Sequence, residues 1–272
     1  MSIIMKSLLR PPLWPLPWGL GILGIMLAFA GCGTSSSGES NDIEAPRRPS
    51  AAECGFRTMP GASGKRKSPS AKTFPTAGVY RYNMIGTQAV PGSGVRVKNL
   101  PPHSDLFVTP PRRYRGLTCF TVQRRYAPDI ANTTTYVIRG RDVYLISLRI
   151  QALGESQGIR PNPSVLSVSN TGSSWSGQFG GPTYGSYAFS GLGKRTFRVK
   201  SRLLPAVGIS SVVSYRGAVN GAQKTITWIS PRQNVVLSES VRSRQSFGVS
   251  ALQLRSHSHL VSLKPKQLPY HE

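Results

Sequence analysis

The stretch VVSYRGAVNGAQKTITWIS, residues 212–230, decides the fold class. Val212, Val213 and Tyr215 precede an Asn220-Gly221 pair, and Thr225, Ile226, Thr227, Trp228 and Ile229 follow it. β-branched and aromatic residues in alternation mark strands. Asn-Gly readily takes the positive φ values of a type I′ turn. The reading is a hairpin turning at Asn220-Gly221, with Ile226 and Trp228 on one face and Thr225, Thr227 and Ile229 on the other.

The same texture extends in both directions. Downstream, SPRQN (230–234) makes a turn, VVLSESV (235–241) returns, and SALQLRSHSHLVSL (250–263) supplies a last run. Upstream, TFRVKSRLL (196–204) sets Phe197, Val199 and Leu203 against Arg198, Lys200 and Arg202. TYVIRGRDVYLISLRI (135–150) reads as a hairpin turning near Gly140 and Arg141, with Tyr144, Ile146, Leu148 and Ile150 sharing a face. LTCFTVQRRY (117–126) groups Phe120 and Val122 with Thr118, Arg124 and Tyr126, and GVYRYNMIG (78–86) groups Tyr80, Tyr82 and Met84. QALGES (151–156) offers one short helix. The fold class is therefore mainly β: one strongly twisted or curved antiparallel sheet, as a meander, half-barrel or sandwich, with little helix.

Between these runs, Asn170–Gly193 is rich in Gly and Ser and carries Trp175, Phe179, Tyr184, Tyr187 and Phe189. It reads as a pair of edge strands whose aromatics complete the core, against the alternative of a glycan- or peptide-binding loop. Trp175, Tyr184 and Trp228 are the candidate residues for a ligand groove. Tyr80, Tyr82, Phe120, Val122, Tyr144, Ile146, Phe197, Val199, Ile226 and Trp228 are the candidates for one shared apolar face.

Composition changes before residue 75. Residues 33–74 contain GTSSSGES, APRRPS and GASGKRKSPSAK, too polar to offset their ordering entropy. The domain reading is a signal segment over 1–31, a disordered tether over 32–74, the antiparallel β domain over 75–265 and a short tail over 266–272. Lys6 and Arg10 form a basic start, 11–31 is uncharged, and WGLGILGIMLAFAG leads into Cys32. These are the marks of an export signal. FAGC, Phe29–Cys32, resembles the lipobox of bacterial lipoproteins. That resemblance implies that Cys32 carries acyl chains such as palmitate, that the signal is cut before it, and that the domain sits outside the cytoplasm on a membrane. An uncleaved membrane helix and an ordinary signal are the alternatives. Prolines at 11, 12, 15 and 17 confine any good helix to the second half.

Lys and Arg total 34 against 10 Asp and Glu, a net charge of +24. Such an excess favours anionic partners. With export, those partners are anionic lipids or cell-wall polymers rather than nucleic acid; a plain solvated surface is the alternative. Two cysteines remain after Cys32. Cys54 and Cys119 are read as a disulfide pair, with two separate thiols as the alternative.

The domain holds five acids, Asp105, Asp129, Asp142, Glu155 and Glu239, with no evident pair for glycosidase chemistry. No G-x-S-x-G, H-E-x-x-H or Walker motif occurs, so no catalytic residue, metal ligand or cofactor is assigned. His257 and His259 would share a strand face, but no third metal ligand stands nearby in sequence.

The run of strands from TFRVKSRLL through TWIS to VVLSESV looks like the periplasmic lipoprotein carriers and the mycobacterial-type lipid-binding lipoproteins. The resemblance covers about residues 75–263 and implies an open half-barrel holding acyl chains. The helices that close the sheet's mouth in those families are not evident here. The functional expectation is a membrane-anchored, exported, non-catalytic binding or structural module of the bacterial envelope. The alternatives are a carrier of a lipid or other apolar ligand and, from another class, an envelope hydrolase.

Overall fold

The computed structural model describes residues 43–50, 53–54, 75–91, 97–139, 142–168, 174–248 and 250–267, which fall in the unit Ser40–Glu272. Cys32, its FAGC context, 1–31, 55–74, Gly140-Arg141 and the tail from 268 lie outside them.

Among the described residues all regular structure is strand. The first half of the sheet comprises β1 (Gly78–Ala89), β2 (Lys98–Asn99), β3 (His103–Val108), β4 (Arg112–Tyr114), β5 (Leu117–Ala127), β6 (Ile130–Arg139), β7 (Asp142–Ala152), β8 (Glu155–Ile159) and β9 (Val165–Val168). The second comprises β10 (Ser174–Phe179), β11 (Thr183–Val199), β12 (Arg202–Gly217), β13 (Val219–Ser230), β14 (Val235–Phe247) and β15 (Ser250–Leu260). They form one antiparallel sheet in the order β10-β11-β12-β13-β14-β15-β1-β3-β5-β6-β7-β8, with β2, β4 and β9 pairing β1, β5 and β7. Two meanders are thus joined by the pairing of the first strand with the last, Tyr82 opposite Leu260 through Ala89 opposite Gln253. The sheet curls into a half-barrel. Asn162 and Gly180 exchange two backbone hydrogen bonds, 2.7 and 3.2 Å, and so bring the outer ends of the curl together at one point.

The strands follow the predicted alternation where burial is one-sided. In β1, Tyr80, Tyr82 and Met84 are buried and Arg81, Asn83 and Ile85 exposed. The inner face holds two apolar clusters. One gathers Met84, Tyr126, Ile150, Phe179, Tyr187, Tyr215, Val241 and Phe247, and the other gathers Tyr80, Tyr82, Phe120, Ile138, Val235 and Leu237. The aromatic segment 174–193 is an edge hairpin. Trp175 stacks on Phe189 at 5.3 Å, and Phe179 and Tyr187 join the first cluster.

Local register departs from the sequence reading in four places. Asn220-Gly221 is not the turn. The chain bends at Gly217 (φ 100°), and β13 already begins at Val219, which pairs with Phe247 and is fully buried. Burial of Val219 outweighs the local turn preference. Asn220 instead clamps the bend, its Nδ2 donating to the Gly217 carbonyl (2.8 Å) and its Oδ1 accepting from the Gly217 amide (3.2 Å). Gly221 packs so closely on β14 that a Cβ there would meet the Arg244 carbonyl at 2.0 Å. QALGES is likewise not helical. Leu153 and Gly154, both at positive φ, make a two-residue turn between Ala152 and Glu155, as Arg115 and Gly116 do between Tyr114 and Leu117. These are the geometries that the Asn-Gly pair was expected to supply.

Tyr144 and Ile146 do not share the face of Leu148 and Ile150. Register shifts where Thr135 pairs Ser147 and Tyr136 pairs Leu145, leaving Ile146 as an extra residue. One extra residue reverses every side chain beyond it. Ile146 therefore packs with Val137 and the two cysteines on the outer face. The hairpin turn at Lys200 does the same to Leu203, which is 63% exposed, while Leu204 is buried opposite Phe197.

Part of the supposed tether is structured. Residues 43–50, with Glu53 and Cys54, form a strap across the outer face of β5. Cys54 and Cys119 are bonded, and both are fully buried. Arg125 donates to the Ile43 carbonyl, Gln123 to that of Glu44 (3.1 Å) and Arg112 to that of Pro49 (3.3 Å), while Arg48 donates to that of Pro111 (2.9 Å). Ser50 and Glu53 bond reciprocally, amide to side chain, at 2.6 and 3.2 Å. The Ser50 amide, with Arg47 beside it, holds the Glu53 carboxyl below its ordinary range. For these residues within 32–74, the clasp and long-range hydrogen bonds do what apolar burial does elsewhere.

The inner face carries buried phenols. Burial pushes Tyr82, Tyr126 and Tyr215 up, and Tyr136 up to about 12. The folded state thus favours the neutral phenol more than the unfolded chain does, where tyrosine titrates near 10. Their contribution is complete below about pH 10 and is lost as pH rises through the folded values. Urea midpoints are expected to be flat from pH 8 to 9.5 and to fall steeply above about pH 10. Absorbance at 295 nm should show this group ionising together with unfolding.

Candidate functional site

The clearest concentration of one chemistry lies on the outer face of β13, β14, β15 and β1. Register aligns four successive rows there. Ala222, Arg244, Gln253 and Ala89 form one; Lys224, Arg242, Arg255 and Thr87 the next; Ile226, Ser240, His257 and Ile85 the third; Trp228, Ser238, His259 and Asn83 the fourth. Each row alternates with an inward one, such as Thr227, Glu239, Ser258 and Met84. Lys224, Arg242, Arg244 and Arg255 are exposed, and the four rows contain no acid. Arg242 stands directly opposite both Lys224 and Arg255. Facing side chains sit about 5 Å apart, and like charges so placed are destabilising. The fold tolerates this repulsion across three adjacent strands.

Beside the cations lies a mixed aromatic and imidazole patch. The His257 and His259 rings meet edge-on at 4.4 Å, and Phe197 lies 5.6 Å from Trp228 and 6.5 Å from His259. The Arg195 guanidinium sits 5.6 Å from the Trp228 ring centre. Ser240 Oγ and His257 Nδ1 are 2.5 Å apart. Partial burial, then the neighbouring His257, lower the pKa of His259. Ile85 is 73% exposed in the third row. Among the described residues no cluster of three His, Cys, Asp or Glu stands close enough to hold one metal ion.

The three groove candidates are not brought together. Trp175 stacks with Phe189 on the inner side. Tyr184 and Trp228 both point outward, but their β12 partners are Arg216 and Gly208. Eight strand residues separate those partners, about 26 Å. Ile226 and Trp228 fall in the outward register rows, but Trp228, with Phe197, still packs against the cluster of Tyr80, Tyr82, Phe120 and Val199 with which it was expected to share a face. The sequence reading missed Lys224, Arg242, Arg244 and Arg255 as a unit. A signal for part of it was present: Arg242 and Arg244 flank Ser243, and Arg255, His257 and His259 alternate along β15.

The inner face holds a second charged constellation. The Arg124 guanidinium lies 4.0 Å over the Tyr82 ring, and its Nε is 3.6 Å from Glu239 Oε1. Arg124 also donates to Ser258 Oγ, and Tyr126 donates to Glu239 Oε1 at 3.4 Å. It is a buried ion pair set among aromatic rings.

No protein-family model and no curated protein sequence matches the chain. Among solved structures, a Bacteroides fragilis protein with a YmcC-like fold, whose export is itself an inference, aligns at 8% identity and a TM-score of 0.31. The alignment covers 69% of this chain and 96% of that one. At that score the two backbones share too little for the likeness to bear on function.

Proposed function

We propose that this protein is an exported, non-catalytic binding module of the bacterial envelope that holds an anionic envelope component against its basic outer face. The acid-free rows bearing Lys224, Arg242, Arg244 and Arg255 carry this reading. Cations held opposite one another at a cost in stability gain from a polyanion that bridges them. An acylated Cys32 would keep the domain at a membrane, where phospholipid headgroups and wall polymers supply such charge. The carrier alternative lacks a comparable observation, since Tyr82, Arg124, Tyr126 and Glu239 occupy the inner face.

The experiment is co-sedimentation of Ser40–Glu272, which lacks the acylated Cys32, with vesicles of pure phosphatidylcholine or of phosphatidylcholine with phosphatidylglycerol. Binding is expected only to the anionic vesicles, and to weaken with salt. Each basic residue near such a surface is worth about 1 kcal/mol, so K224Q/R242Q/R255Q together should lower affinity roughly a hundredfold. Protonation of His259 adds charge to the face. Because His259 titrates below the ordinary value near 6.5, binding should strengthen most at pH values under that. Salt-independent binding, or an unchanged affinity in the triple variant, would remove the proposal.

A further inference from the structure

A separate recess lies under the strap, on the outer face of β5 to β8. It is a groove of about 290 Å³ bounded by Glu44–Arg47, Pro49 and Glu53 on the strap side. Its floor is Thr121, Gln123, Thr133 and Thr135, and its far wall includes Arg149 and Arg160. The strap is held at one end by the Cys54–Cys119 bond, at the other by the Arg125 and Gln123 hydrogen bonds to Ile43 and Glu44, and between them at Arg48 and Pro49, while Ala45, Pro46 and Arg47 border the recess.

We propose that this groove binds a small hydroxylated carboxylate, of the class of a sugar acid. The floor presents hydroxyl and amide groups. Thr121 Oγ1 lies 3.3 Å from Thr135 Oγ1, and Gln123 Nε2 donates to Thr133 Oγ1 at 3.2 Å. A hydroxyl has one donor and two acceptor sites, so these contacts leave capacity for a polyhydroxyl ligand. The wall presents positive charge. Arg149 faces Gly158 across the β7–β8 pair, and Arg160 follows two residues later on the same face. Diagonal neighbours of this kind lie about 7–8 Å apart, close enough for two long side chains to converge on one carboxylate. Gly158 leaves the space over Arg149 open, for a Cβ there would meet nothing within 4 Å. Of the two acids at the rim, Glu53 is already engaged by Arg47 and the Ser50 amide. The volume sits at the low end for ligand pockets, about 300 Å³, and suits one sugar unit rather than a folded partner.

The test is calorimetric titration of the full oxidised protein with D-glucuronate, D-glucose and acetate. Glucuronate is expected to bind one to one, and glucose and acetate at least about tenfold more weakly, since each lacks half of the matched chemistry. R149Q/R160Q should weaken glucuronate roughly tenfold or more while leaving glucose unchanged. G158Y should block the groove without lowering the melting temperature, because it fills open space on a sheet-edge strand. No saturable glucuronate binding, acetate binding as tightly as glucuronate, or glucuronate affinity unmoved by both variants would overturn the proposal. K224Q/R242Q/R255Q serves as an independent control and is expected to leave glucuronate binding intact.

Discussion

Replacing Glu239 by leucine is expected to lower the unfolding free energy by about 3–5 kcal/mol. Arg124 has a side chain only 6% exposed, stacked on Tyr82 with its Nε 3.6 Å from the Glu239 carboxylate. Arginine does not shed its proton in proteins. Removing the acid therefore leaves a buried charge with no counter-charge, the costly half of a broken pair. Tyr126 also loses the acceptor of its 3.4 Å hydrogen bond. The double variant Arg124→Met/Glu239→Leu should recover most of the loss, because an apolar pair carries no desolvation cost. Urea unfolding of the wild type, both single variants and the double variant at pH 7 measures the coupling directly. A single-variant cost below about 1 kcal/mol would mean that the pair is solvated like a surface ion pair. Full additivity of the two substitutions would show that they do not act as a pair.

The strands were legible where one face meets the core and the other meets water. Tyr80, Tyr82 and Met84 alternate with Arg81, Asn83 and Ile85, and that pattern alone places β1. Strand β5 reads less plainly, since the strap buries its outer face as well; Thr121 and Gln123 are as buried as Phe120 and Arg124. Nothing in the polar text of 43–54 predicts that cover except Cys54. The turns were legible in kind and not in place. Two-residue turns at positive φ fall at Leu153-Gly154 and Arg115-Gly116, while Asn220-Gly221, where Gly221 alone has a positive φ (130°), lies inside β13 because Val219 is buried. The bulge at Ile146 has no sequence mark, and it alone sends Tyr144 and Ile146 outward.

The charge of the candidate site was legible as a total, and its assembly was not. Lys224, Arg242 and Arg255 come from three strands and meet only because of two registers, each set by distant inward residues. The pairing of β15 with β1, which extends that face to Ile85 and Asn83, links residues more than 160 positions apart. Pattern within a segment carries no information about such a partner.

Loss of the Cys54–Cys119 bond is expected to cost about 4 kcal/mol. The bond closes a loop of 65 residues, and the chain-entropy relation assigns a cross-link of that span about 4 kcal/mol through the unfolded state. The native state adds its own consequences. The bond packs with Val137 and Ile146 and anchors the strap over Thr121, Gln123 and Thr135. In Cys54→Ala/Cys119→Ala the strap keeps hydrogen bonds from Gln123, Arg125 and Arg112, but these bonds lie toward its other end and middle. Amide exchange should therefore rise first around Ser50–Cys54 and along β5, with β12 to β15 unchanged until global unfolding. Urea unfolding of the oxidised protein and of the double variant gives the energy, and hydrogen exchange locates it. A cost below about 1 kcal/mol with undisturbed exchange in the strap would show that the hydrogen bonds hold it alone. A uniform rise in exchange across the whole sheet would show that the bond stabilises the fold without selectively holding the strap, and the recess beneath it would then owe nothing to the clasp.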